Sequence, residues 1–147
     1  QILTPILARY RGLWVGAHWG FGRAYIPPAE MPVHYAQSRI ALSPLVGFVS
    51  NFGAELTLRV FAAAACGSFQ LTQPTPITVR SFGPDELIQA GSPEESVRWF
   101  EPYVDRPAER NAAVWRALRR VYGEHTCFHR LDKLVRHLDD WRKRGLF

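Results

Sequence analysis

The chain alternates between short continuous apolar runs and longer segments whose apolar residues recur at helical spacing. Short apolar runs bounded by Gly, Pro or Ser are typical of buried parallel strands, and they lie at residues 13–17, 39–43, 69–72 and 87–90. The intervening patterns predict helices at residues 1–9, 29–37 and 53–66, with a helical turn at 77–82. The first part of the chain is therefore predicted to alternate helices and strands.

The last third of the chain carries three consecutive helical patterns. Ser92 followed by Pro93 predicts a capped helix to about Val104, because Ser accepts a hydrogen bond from a free amide and Pro suits the first helical position. Further helices are predicted from residue 106 to about 123 and from about 126 to 144. The apolar residues of the last helix form one stripe, namely Phe128, Leu131, Leu134, Val135, Leu138 and Trp141.

This order of elements predicts an α/β fold. Strands that alternate with helices indicate a parallel sheet, and a chain of 147 residues with 47% hydrophobic content can bury one core. We therefore expect residues 1–147 to form a single Rossmann-like domain, with a short parallel sheet and three C-terminal helices.

An alanine-rich helix at residues 53–66 is the most informative segment. Gly67 ends it, as expected for a left-handed position after a helix, and a polar loop with Ser50, Asn51 and Gly53 precedes it. Such a loop and helix N-terminus favour anions, because free amides and the helix dipole point at the ligand. The segment is consistent with a phosphate-binding cradle.

The same segment carries a family resemblance. Residues 59–67, Arg-Val-Phe-Ala-Ala-Ala-Ala-Cys-Gly, resemble the "R-x-F-E-A-x-A-C-G" helix in the C-terminal domain of CgeB-like (group 1) glycosyltransferases of the GT-B fold. The similarity continues through residues 68–72, 82–86 and 91–95, and through residues 124–131 near the family's terminal "H-T-x-x-H-R". It covers roughly residues 12 to 138.

The resemblance implies that the domain binds a nucleoside-diphosphate sugar, the donor of a sugar-transfer reaction. The implied donor-binding residues are Ser50, Asn51, Gly53, Ala54, Glu55, Arg59, His18 and Trp19. Arg59 would reach a phosphate or anchor the loop, and Glu55 would contact the sugar or help at the helix N-terminus. His18 and Trp19 would line a base or sugar pocket, although Trp19 is equally consistent with a core residue. The catalytic residues stay unassigned.

One position departs from the family pattern. Ala62 stands where the family helix carries a glutamate, whose carboxylate in related enzymes binds the ribose hydroxyls of the donor. Alanine accepts no such hydrogen bond. Two hypotheses therefore stay open: a donor-binding glycosyltransferase domain, and a catalytically inactive interaction module that uses the basic C-terminal helices. Whether the chain is an enzyme is left undecided.

The resemblance also implies a partner. A GT-B enzyme places its active site between two Rossmann-like domains, and this chain has the length of one. We expect the first strand and the N-terminal domain to lie outside the sequence, in the same or another chain. Transfer by the complete enzyme would need neither a cofactor nor a metal ion.

The charge is concentrated at the C-terminal end. Residues 1–97 carry six Arg and six acids, whereas residues 98–147 carry twelve Lys/Arg against seven acids. Interleaved acids favour ordinary solvated helix faces, while the Arg142-Lys143-Arg144 cluster favours a surface for an anionic acceptor or a membrane. The pattern argues against nucleic acid, because aromatic and basic residues are not interleaved.

The remaining reactive side chains carry weaker signals. Cys66 and Cys127 lack the spacing of metal or redox motifs, so Cys66 is expected to be a buried free thiol. Free cysteines also fit a cytoplasmic location. In one alternative, the protein is peripheral to the inner face of the membrane. Asp85 and Glu86 form an adjacent pair of the kind that is more often solvated than catalytic. The five histidines, His18, His34, His125, His129 and His137, lack a metal-binding motif. His125 and His129 are expected to hold the terminal helix on the sheet.

Overall fold

The computed structural model describes residues 3–13, 15, 22–23, 25–43 and 58–146. The helices are α1 (Thr4–Arg9), α2 (Met31–Gln37), α3 (Leu58–Ala65), α4 (Pro76–Ser81), α5 (Pro93–Val104), α6 (Pro107–Glu124) and α7 (Cys127–Lys143). The strands are β1 (Ala41–Ser43), β2 (Gln70–Thr72) and β3 (Ile88–Gln89). The predicted α/β class, the short parallel sheet and the three C-terminal helices are confirmed.

The described sheet is parallel, with β2 between β1 and β3. Leu71 at the centre of β2 lies opposite Leu42 on one side and Ile88 on the other. All three residues of β2 are buried, as expected for a parallel strand that is covered on both faces.

Adjacent β2 residues show which helices cover each face. The Gln70 side-chain amide donates a 3.0 Å hydrogen bond to the carbonyl of Val60 in α3. Leu71 lies in a cluster with Ile6 of α1 and Phe100 of α5. Because successive side chains of a strand point to opposite faces, α3 covers one face of the sheet, and α1 and α5 cover the other.

Helix α6 packs on α3 through small residues. Ala117 and Val121 share a buried cluster with Val60, Phe61 and Ala64, and an Ala–Ala contact lets two helix axes approach closely.

Gly67 ends helix α3, as predicted. Its φ of +72° is left-handed, and its amide donates to the carbonyl of Ala64 while the amide of Ser68 donates to that of Ala63. This pair of bonds is a Schellman motif, which satisfies carbonyls that the helix end leaves unpaired. Cys66 is a free thiol but is half-buried just after the helix, so the prediction of a buried helical cysteine is wrong.

Side-chain caps fix the starts of α4 and α5. Thr75 accepts a hydrogen bond from the Thr78 amide, and the Thr78 hydroxyl accepts one from the Thr75 amide. Ser92 accepts from the Glu95 amide at 3.1 Å, which confirms the predicted cap of α5. The caps fix the direction in which the chain leaves the sheet after β2 and β3.

The prediction of a buried strand at residues 13–17 is wrong for the part that the structure describes. Leu13 is 55% exposed and Val15 is 38% exposed. Val15 makes an isolated parallel bridge with Arg23. An apolar run favours an extended conformation, but its burial depends on a covering layer that the run itself does not supply.

Helix α7 differs from every other long helix described here, because none of its residues is buried. Thr126 caps its first turn, and the Arg130 guanidinium lies 5.0 Å from the centre of the Phe61 ring. The expectation that this helix closes on the sheet is wrong, because its apolar stripe faces solvent.

Candidate functional site

Polar residues end all three described strands. Ser43, Thr72 and Gln89 are the last residues of β1, β2 and β3. The carboxyl ends of parallel strands meet at one edge of a sheet, so these side chains form a polar row there. We call this row the carboxyl edge. Ligands of open α/β sheets bind in the crevice outside such an edge.

Ser43 leaves one group at the carboxyl edge without a described partner. Its carbonyl accepts a 2.9 Å hydrogen bond from the Thr72 hydroxyl. Its own hydroxyl is buried, with the residue 2% exposed, and makes no hydrogen bond within the described part of the chain. A buried polar group without a partner is costly, so this hydroxyl is suited to bind an added polar group.

The β3 side of the carboxyl edge is internally satisfied. The Thr78 hydroxyl donates to the side-chain oxygen of Gln89 at 3.1 Å and also belongs to the α4 cap. Thr75 and Thr78 are buried, so this cluster is rigid. It ties α4 to the end of β3 and shapes the edge.

The N-terminus of α5 also lies after a strand, but its own side chains occupy it. The amide of Glu95 donates to Ser92, and the Glu95 carboxylate accepts from the Gly91 amide at 2.8 Å. A carboxylate at a helix N-terminus supplies the negative charge that an anionic ligand would otherwise bring. An anion is therefore not expected to bind here.

Most of the predicted donor-binding residues lie outside the described residues. These are Ser50, Asn51, Gly53, Ala54, Glu55, His18 and Trp19. Their assignment stays a prediction. Arg59 is the predicted donor-binding residue that the structure describes.

Arg59 presents its charge at the surface of α3. The residue is exposed, and within the described ranges it makes no ion pair or hydrogen bond. Burial raises the pKa of the nearby Tyr35 phenol, and the positive charge of Arg59 acts in the opposite direction. The guanidinium has no carboxylate partner among the described residues, so it can meet an anion.

Ala62 lies on the solvent side of the same helix. It is exposed and stands three residues after Arg59, so the two share one helix face. The buried face of α3 carries Val60, Phe61, Ala63 and Ala64 instead. A carboxylate at position 62 would project beside the Arg59 guanidinium, and alanine leaves that place without an acceptor.

His125 and His129 have separate roles at the junction of α6 and α7. The His125 ring packs 5.1 Å from the centre of Phe61, edge to face, and burial lowers its pKa. His129 contacts the Thr126 hydroxyl through Nδ1 at 2.7 Å. Within the described ranges, three His, Cys, Asp or Glu side chains never converge as metal ligands would.

The expectation that Glu86 is solvated is wrong, because this residue is buried. Its carboxylate accepts a 2.7 Å hydrogen bond from the Gly83 amide and a 3.1 Å bond from Arg120 on α6. Arg116 pairs with the neighbouring Asp85 at 2.9 Å. Arg116 and Arg120 line an open groove together with Arg119, and their pairs with Asp85 and Glu86 clamp this turn onto α6.

Ser43, Thr72 and Gln89 were not among the predicted site residues. A usable signal was present for two of them, because the predicted strands at residues 39–43 and 69–72 end on Ser43 and Thr72. Strand ends in a parallel sheet converge, so these residues can be placed together once the strand order is known.

The hydropathy of the helices and the comparisons with known proteins also bear on function. None of the helices in the described part of the chain combines the length and the hydropathy needed to cross a bilayer. A family model described as glycosyl transferase-like matches residues 1–136. No curated protein and no solved structure matches the chain.

Proposed function

The chain belongs to the glycosyl transferase-like family, and from that premise we propose that it binds a nucleoside-diphosphate sugar at the carboxyl edge. The observation that carries the proposal is the polar end of the sheet, where the buried Ser43 hydroxyl has no described partner. Membership of the family supports a sugar-nucleotide ligand, and the general position of ligands in open α/β sheets supports this location.

The diphosphate would be held where the chain enters helix α3. Amides around Asn51, Gly53 and Ala54 are the proposed donors, and Arg59 would add a positive charge. Positive charge at this place assists transfer, because the departing nucleoside diphosphate gains negative charge as the sugar leaves. The α5 N-terminus, which already has its own carboxylate, is not part of the proposed phosphate site.

Within this family, we propose that the chain is the C-terminal, donor-binding domain of a CgeB-like glycosyltransferase of the GT-B fold. Under this assignment an N-terminal Rossmann domain, in the same or another chain, supplies the second wall of the cleft. Residues 1–147 alone would bind the donor weakly and turn it over little, because the groups that orient the acceptor are absent. The full enzyme would work in the cytoplasm without a metal ion.

Ala62 supports a second candidate function, an interaction module that has lost catalysis. The exposed position beside Arg59 lacks the carboxylate that would hold the ribose, so donor affinity is expected to be reduced. The Ala62→Glu variant separates the two candidates. Under the donor-binding proposal it binds nucleotide more tightly than the natural chain.

Calorimetric titration with nucleoside diphosphates and diphospho-sugars tests the proposal. We expect saturable binding that weakens about tenfold or more in Arg59→Ala, because a charge-assisted hydrogen bond contributes roughly 1.5–3 kcal/mol. Arg136→Ala is the matched control, since Arg136 is also exposed on a helix but pairs with Asp132 at 2.9 Å. Absence of saturable binding, or equal loss in both variants, would refute the proposal.

A further inference from the structure

The strongest unexplained feature outside the donor site is the apolar face of α7. Its six large apolar side chains are Phe128, Leu131, Leu134, Val135, Leu138 and Trp141. Their exposed fractions range from 40% at Leu138 to 83% at Phe128. Since contiguous exposed apolar surface marks an interaction site, something is expected to cover this face.

The face is wide and has a defined end. At 3.6 residues per turn, the six side chains span an arc of about 140°. Gly145, at a φ of +66°, donates to the Arg142 carbonyl, and the Leu146 amide donates to that of Trp141 at 3.0 Å. This Schellman motif turns the chain so that the exposed Leu146 follows Trp141 at the end of the apolar face.

Basic residues dominate the rest of the helix. Helical geometry places Arg142 within the arc of the stripe, and the remaining face of residues 130–144 carries five Lys/Arg against three Asp. Asp132 is ion-paired with Arg136 at 2.9 Å, which reduces the negative charge on its edge. A helix with Trp, Phe and Leu on one face, Lys and Arg on the other and a low mean hydropathy has the composition of helices that lie in a membrane interface.

A second copy of the chain fits this face poorly. Helical geometry places Arg130, His137 and Arg144 along one edge of the stripe and Asp132 and Asp139 along the other. An antiparallel pair of α7 helices sets like edges against each other, so the basic edges of the two copies would repel. A parallel pair sets opposite edges together, but the small area of the stripe disfavours it. The stripe also measures only about 25 Å by 10 Å, which is small beside the roughly 800 Å² that each partner of a stable complex buries.

We propose that α7 is an interfacial helix, which lays its apolar face into the surface of an anionic lipid bilayer. Phe128, the leucines and Trp141 enter the boundary between headgroups and acyl chains, and the basic residues meet the anionic headgroups. A bilayer needs no complementary shape, so it can cover a single isolated helix face. The proposal does not depend on donor binding, because it concerns a different surface.

Co-sedimentation of the chain with vesicles tests this inference. The probes are vesicles of phosphatidylcholine alone and vesicles with about 30% phosphatidylglycerol, at about 50 and 500 mM salt. We expect binding to the anionic vesicles, at least about tenfold weaker binding to the neutral ones, and a decrease in high salt. No binding to the anionic vesicles would overturn the proposal.

Substitutions locate the binding surface. Leu134→Asp combined with Leu138→Asp should lower vesicle binding at least about tenfold, without loss of helical circular dichroism, because both positions are exposed. Trp115→Asp on α6 is the matched control, since Trp115 is 63% exposed but lies outside the stripe. Equal binding by the double variant would overturn the proposal. So would a dimer of the natural chain that the double variant converts to a monomer, since the occupant would then be a second copy.

Discussion

Helices α6 and α7 follow each other in the chain and both have a regular apolar stripe, yet only one stripe is covered. The stripe of α6 consists of small residues, Ala113, Ala117 and Val121, and it packs against α3 and the sheet core. The stripe of α7 consists of larger residues and faces solvent. Periodicity thus predicts that a helix is amphipathic, while the size of the apolar residues indicates how closely its partner approaches.

The largest expected effect is a difference in the free energy of unfolding between one leucine substitution in the sheet core and one in the α7 stripe. Leu71→Ala removes a side chain that is 1% exposed, and it should lower the free energy of unfolding by about 2–5 kcal/mol. Leu131→Ala on α7, where the leucine is 57% exposed, should cost less than about 0.5 kcal/mol. Urea denaturation of both variants measures the difference. A cost at Leu131 close to that at Leu71 would mean that the stripe is covered in solution.

A smaller effect is expected at the clamp that holds the turn before β3 on α6. Glu86→Gln replaces a buried carboxylate that accepts from Gly83 and Arg120, and should cost about 1–3 kcal/mol. The control Glu109→Gln breaks an exposed 3.4 Å pair with Arg106 and should cost less than about 0.5 kcal/mol. Equal stabilities of the two variants in chemical denaturation would refute the structural role of Glu86.

The smallest expected effect lies at the boundary between the two regions, where His125 follows α6. Burial lowers the pKa of His125 in the folded chain. As the pH falls below about 6.5, the imidazole therefore takes up a proton in the unfolded chain before it does so in the folded chain. The free energy of unfolding should therefore fall as the pH falls below that value. The dependence should be weaker in His125→Gln, measured by thermal unfolding across the same pH range. An unchanged slope would show that other groups cause it.

Local patterns were sufficient to predict most of the described elements. Ser92 before Pro93 located the start of α5, and Gly67 located the end of α3, because these residues act on the backbone within one turn. The polar strand ends and the burial of Glu86 were not predicted. Both depend on contacts between segments far apart in the chain, such as Thr72 with Ser43 and Arg120 with Glu86.

The same limit explains why Leu13 and the α7 stripe were expected to be covered. Leu13 and the α7 stripe carry apolar patterns typical of covered elements, and the sequence says nothing about whether the covering layer is present. The donor site was predicted from a family resemblance, and the membership over residues 1–136 supports a glycosyltransferase-type domain. Its contact residues before Leu58 stay predictions.

The most direct test of the proposed donor site is to map amide chemical shifts by NMR during titration with a nucleoside diphosphate. We expect the largest shifts at the carboxyl edge and near Arg59, with saturation, while the amides of α7 stay unchanged. Shifts confined to the basic groove of α6 or to α7, with none near Ser43 and Thr72, would contradict it.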